Sequence, residues 1–195
     1  MFNESDFRIF QEPDVDRRLA LIRTQLGPKF AQAGSQLQYL AKQHAGVDFT
    51  VHIAKHARRH VNPPQNTWLA LSASARGYKM LPHVELGFWD DRLFLWVGVL
   101  QEAKPFFGVL PTLAQLPQGF ALADSHINKA TQPLNAATLA AQNTRFKQVA
   151  KAEWLLVANH LAQAPTWQDP TRLWRTIQQE FLALLPVYQL LTTTK

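Results

Sequence analysis

Residues 83–101 read HVELGFWDDRLFLWVGVLQ, and their reading decides the fold. HVELGFW (83–89) and LFLWVGVLQ (93–101) have strand length and are rich in aromatic and β-branched side chains. The polar gap Asp90-Asp91-Arg92 between them predicts an antiparallel hairpin. In the second strand Leu93, Leu95, Val97 and Val99 share one face and Phe94, Trp96 and Gly98 the other. Both faces are apolar, as expected of a central strand covered on two sides.

Upstream, TWLALSA (67–73) has the same character, and downstream GFALADSHI (119–127) reads as another strand. EWLLVANHL (153–161) fits a buried strand better than a continued helix. The ends of the chain follow a different period. Val15, Leu19, Ile22, Leu26, Phe30, Leu37 and Leu40 lie along one face of a 3.6-residue repeat, interrupted at Gly27-Pro28, where two helices or a sharp kink are expected. Gly46 is placed to end that segment. Asn135 is placed to cap a helix over 136–147, while prolines at 105, 111 and 117 predict a short helix or two broken turns over 104–116. Asp169-Pro170 forms an N-cap and first-turn pair, followed by a stripe of Leu173, Trp174, Ile177, Phe181, Leu184 and Leu185 that should stop near Pro186. The order of elements predicts one α+β domain over 1–195, with a mainly antiparallel sheet covered by N-terminal and C-terminal helices.

Hydrophobic residues make up 47% of the 195 and charged residues 17%, a balance that supports a packed core. The absence of cysteine excludes disulfides, thiolate metal sites and cysteine nucleophiles. The acidic opening MFNESDFRIF is unlike a signal peptide, and the longest apolar run, LFLWVGVL (93–100), is strand-sized. A cytoplasmic protein without membrane segments is expected. Nothing in the sequence sets an oligomeric state.

The net charge is +6, and its distribution is uneven. No acid occurs between Asp48 and Glu85, while Lys55, Arg58, Arg59, Arg76 and Lys79 do, so this interval carries +5. It opens with HIAKHARRHVNPPQNTW (52–68). Two arginine forks suit phosphate or carboxylate, and Arg76-Gly77-Tyr78-Lys79 adds a second cationic pair around a flexible glycine. Pro63-Pro64 makes the approach to the next strand rigid. If the strands starting at Thr67 and His83 pair, the two cationic groups enter from opposite ends of the first strand, unless 52–64 folds back.

These two runs, HIAKHARRHVNPPQNTW and RGYKMLPHVELGFWDDRLFLW, resemble the YktB-like family of uncharacterised bacterial proteins. The opening FxxFxIF-type segment, the RTQLGPKF region and the closing FLALLPVYQL are similar too, so the likeness covers nearly the whole chain. It implies an α+β domain of this length and no established activity, ligand or cofactor. The family pattern has threonine where this chain has His60, which weakens any mechanism requiring His52, His56 and His60 together.

The leading expectation is an anionic small-molecule ligand held by Lys55, Arg58, Arg59, Arg76 and Lys79, with His56 and His83 nearby. The alternative is an enzyme using His52, His56 or His83 in acid–base or metal chemistry. His52, His56 and His60 have the spacing of helical zinc ligands, but their cationic neighbours and the lack of an orienting carboxylate argue against a metal, and no cofactor is implied. His83 and Glu85 alternate onto one strand face, where an ion pair is the simpler reading. No nucleophile elbow surrounds any serine. Trp68, Tyr78, Phe88 and Trp89 interleave with cations in a way that could stack nucleic-acid bases, yet no nucleic-acid motif accompanies them. A structural interaction protein is the third reading.

Overall fold

The computed structural model of the protein describes residues 1–193, and its centre is the hairpin read from 83–101. Strands β3 (His83–Trp89) and β4 (Arg92–Val99) pair antiparallel, Val84 opposite Val97 and Phe88 opposite Leu93. Around them the sheet has seven strands in the order β1-β2-β3-β4-β7-β5-β6, every pairing antiparallel. The others are β1 (Thr50–Ile53), β2 (Asn66–Ser72), β5 (Ala121–Ala123), β6 (Gln132–Pro133) and β7 (Trp154–Leu161). The 153–161 segment is thus a strand and lies beside β4. Only three residues of the 119–127 candidate pair, and the rest is loop.

Alternation separates two clusters, one on each face of β4. Leu93, Leu95 and Val97 join the larger core with Leu69, Leu86 and Leu156. Phe94 and Trp96 join a smaller one with Trp89, Leu155 and Val157. Helices α2 (Gly27–Ala45) and α4 (Pro170–Thr192) cover the larger cluster, inserting Phe30, Leu37, Phe181 and Leu184. A third helix, α3 (Ala136–Gln148), starts at the expected Asn135 cap, whose side chain accepts from the Thr138 N–H. The opening segment winds into a 3-10 helix, Glu4–Gln11, that buries Phe7, Ile9 and Phe10. Trp154, Trp167 and Trp174 are buried, with their indole N–H groups satisfied by Asn143, Leu161 O and Gln36.

Two prolines bear on the expected helices. At Gly27-Pro28 the two expected helical segments are present, but no gap parts them. Helix α1 (Val15–Leu21) passes through a π-helical turn, Ile22–Leu26, directly into α2, and Pro28 lies just past the Gly27 N–H to Ile22 O hydrogen bond that closes this turn. Pro186 does not stop the last helix, which continues to Thr192. A mid-helix proline costs about 3 kcal/mol. Val187, Tyr188 and Leu191 beyond it are all buried, and each fully buried large side chain returns about 1.5–3 kcal/mol.

Candidate functional site

The acid-free interval begins on the sheet's edge. The helical spacing of His52, His56 and His60 does not produce a helix, because Thr50–Ile53 extends as β1, with Thr50 opposite Ser72 and Ile53 opposite Leu69. Val51 and Ile53 then face the helices, and β-branched side chains favour that choice. The chain leaves the strand at Ala54, whose N–H donates to Trp68 O (2.9 Å). His56 adopts φ 50°, the left-handed region, and its carbonyl accepts from the Arg59 N–H at 2.9 Å. Such a backbone costs about 1–2 kcal/mol for a residue with a side chain. The ring of His56 helps to hold it, hydrogen-bonding through Nε2 with Thr67 Oγ1 (3.0 Å) and packing edge-on against Trp68 at 5.5 Å. Burial, aided by the Arg59 charge, lowers the His56 pKa to about 4, so the ring is neutral near pH 7.

This turn points Lys55, Arg58, Arg59 and His60 into solvent. None of the four has an ion pair among the described residues. The return path is fastened. Pro64 is buried and its carbonyl accepts from Arg18 Nη1 (3.0 Å), while Arg18 Nε donates to Glu12 O (2.7 Å). The rigid double-proline connector was legible in the sequence. The buried arginine that clasps it to α1 was not, since Arg18 sits in an ordinary charged helix face, DRRLA.

Arg76 and Lys79 are exposed on the loop joining β2 to β3 (73–82), at the other end of β2. Six strand steps make that roughly 20 Å of backbone, so the two cationic groups enter from opposite ends and do not form one patch by adjacency. The loop turns at Gly77, φ 149°, and lays Tyr78 back over the sheet face opposite α2 and α4. Tyr78 Oη accepts from Trp68 Nε1 (3.0 Å), and its ring meets His83 at 4.9 Å and His52 at 5.8 Å. His52 Nε2 donates to Ser74 O at 2.8 Å. The predicted histidines His52, His56 and His83 therefore gather around the Trp68–Tyr78 pair.

Beneath Tyr78 lies a buried polar group. His83 is fully buried, its Nδ1–H donates to Leu81 O (2.9 Å), and its Nε2 lies 3.4 Å from Glu85 Oε1. That nitrogen has no hydrogen-bond partner among the described residues, and neither does the buried Oε2 of Glu102. A carbonyl can only accept, so it is Nδ1 that carries the hydrogen in this contact. Burial and the charges of Glu85 and Glu102 push the Tyr78 pKa up, keeping its hydroxyl protonated. The His-x-Glu alternation foretold the pair; Tyr78 as its cover and Glu102 as a neighbour had no sequence signal.

Of the aromatics read as a stacking set, Phe88 is fully buried against the helices and Trp89 is also buried, leaving Trp68 and Tyr78 partly accessible. His126 pairs with Glu153 and His160 with Glu180. Among the described residues no group of three or more histidines and carboxylates could hold a metal ion, and no helix is long and apolar enough to cross a membrane.

Residues 2–188 match the model of a domain of unknown function, DUF1054. A UPF0637 protein of Lacticaseibacillus paracasei is 46% identical over 192 residues, 96% of each chain. One from Latilactobacillus sakei is 39% identical over 198 residues (98% of each), and one from Shouchella clausii 37% over 201 residues, covering 98% of this chain and 95% of the relative. The expected YktB-like kinship and the α+β sheet architecture both hold, and the chain belongs to the DUF1054 family.

Proposed function

We propose that the protein is a cytoplasmic binding protein that holds a small phosphate- or carboxylate-bearing ligand at the 54–61 turn through Lys55, Arg58 and Arg59. One observation carries this reading: three exposed cations without an opposing charge project from a turn clasped at its far end by Arg18. Guanidinium forks on a pre-shaped backbone bind anions with little ordering cost. His56, neutral near pH 7, adds a hydrogen-bonding ring rather than charge. Arg76 and Lys79 belong to the other end of β2 and make an internal control. Titration of the protein with inorganic phosphate and pyrophosphate at low salt, followed by amide NMR shifts, should move the 54–61 resonances. Arg58→Glu/Arg59→Glu should abolish those shifts and Arg76→Glu/Lys79→Glu should leave them. Equal binding by all three proteins defeats the reading.

A second reading, acid–base chemistry by His83 and Glu85, is favoured by the unsatisfied Nε2 facing a buried carboxylate. It requires the 73–82 loop to open. Diethyl pyrocarbonate should then modify His83 slowly in the native protein and much faster in Tyr78→Ala; no modification in either protein eliminates it.

A further inference from the structure

Beside the cationic turn, between the π-helical turn and the sheet edge, runs an apolar groove of about 590 Å³. That volume lies within the range of small-molecule sites. The buried side chains of Ile22 and Phe30 face it from the helical side, and half-buried Val51 and Ile53 from β1, with Ala54 just beyond the strand. At Gly34 the same helix α2 packs so closely on β1 that an added Cβ would lie 2.7 Å from Val51 Cγ1. Seven residues earlier the groove is bordered by Gly27, which has no side chain to fill it. Arg23, Lys55 and Ala57 complete the lining, and no carboxylate does. Arg23 is oriented by its Nε–H donating to Leu19 O at 3.1 Å, which leaves its terminal nitrogens for another acceptor.

We propose that this groove receives the apolar body of a free, single-chain amphiphilic anion, an acyl or alkyl chain ending in phosphate or carboxylate. The head group would lie on Lys55 and Arg23, beside Arg58. The proposal rests on the anion-binding reading above and names its ligand class. Charge complementarity selects the occupant: an apolar trough that ends in uncompensated cations matches a chain with one anionic end. An extended peptide would gain little. The Ala54–Trp68 hydrogen bond implies, by antiparallel alternation, that only Val51 and Ile53 turn their amides outward from this four-residue edge.

The test compares inorganic phosphate, octyl phosphate and octylammonium as calorimetric titrants of the full-length protein, below micelle-forming concentrations. Each methylene buried is worth roughly a fourfold gain in affinity, so four buried methylenes give over a hundredfold. Octyl phosphate should bind at least 100-fold tighter than phosphate, and octylammonium should not bind. Ala57→Trp, a substitution at an exposed position of the groove lining, should erase the gain from the chain while preserving phosphate binding. Arg23→Glu/Lys55→Glu should weaken both ligands. If octyl phosphate binds no more than threefold tighter than phosphate, the groove proposal fails and the anion site survives. If neither binds, both fail. Binding to vesicles of anionic phospholipid without binding to monomeric octyl phosphate overturns the proposal in favour of a lipid surface.

Discussion

Replacing Arg18 by methionine should expose how far the cationic turn depends on its clasp. The side chain is only 8% exposed and donates to two carbonyls, Glu12 O at 2.7 Å and Pro64 O at 3.0 Å. Hydrogen bonds from a charged donor are worth about 1.5–3 kcal/mol each. Methionine retains most of the stem's packing, removes both bonds and leaves the Pro64 carbonyl without its buried partner. Against this, the substitution relieves the desolvation that pulls the Arg18 pKa down. The balance is a loss of about 2–3 kcal/mol. For a chain of 195 residues that corresponds to a melting temperature lower by about 5–10 °C. Urea unfolding at pH 7 should show the loss as a lower midpoint with an unchanged m value. Arg17→Met, at the exposed neighbouring position, should stay within about 0.5 kcal/mol of the parent. The turn should also hold its ligand less well in Arg18→Met, although Lys55, Arg58 and Arg59 are intact, since the connector behind them is loosened. A stability loss below about 0.5 kcal/mol would refute the clasp.

Other substitutions probe the sheet and its loop cover. Gly98→Ala places a Cβ against Leu155 Cδ2 and the Trp154 carbonyl at the β4–β7 junction, and should destabilise by more than about 2 kcal/mol in urea unfolding. Tyr78→Phe deprives the Trp68 indole N–H of its acceptor and should cost about 1 kcal/mol, with increased amide exchange in 73–82. His56 has a folded pKa of about 4 against 6.5 in a free chain, so the unfolded state binds more protons between those values. Its contribution is fully present above pH 6.5 and fades as pH falls toward 4. The urea midpoint should therefore drop less between pH 7 and pH 5 in His56→Gln than in the parent; parallel curves would contradict the neutral, buried ring.

The legible parts of this molecule are those where a local signal and the tertiary environment agree. The hairpin at 83–99 combines β-branched and aromatic runs with a two-acid turn, and its two faces meet two apolar clusters. Asn135 and Asp169 cap their helices because a side-chain oxygen satisfies end amides whatever lies around it. The misreadings occur where packing overrides a local rule. Pro186 is carried inside α4 by the buried residues beyond it, and of the i, i+4, i+8 histidines Val51 and Ile53 draw His52 into a strand while His56 and His60 fall in the turn after it. At the site, the uncompensated charge was visible as an acid-free interval. The distance between its halves was hidden in strand register, and the Arg18 clasp, the Tyr78 cover and the Glu102 carboxyl depend on contacts between segments far apart in the chain.

The insertion of β7 between β4 and β5 has a consequence for how the chain is assembled on the ribosome. Strands β1 to β4 pair with sequence neighbours and can form as each emerges. Strands β5 and β6 appear next in synthesis but have only each other until residues 154–161 arrive. Until then the outer edge of β4, with its backbone groups and Leu93, Leu95 and Val97, is open to any stray strand. A nascent chain stalled before Trp154 should therefore be the most aggregation-prone stage in the life of this protein, and β7 the segment that ends the danger.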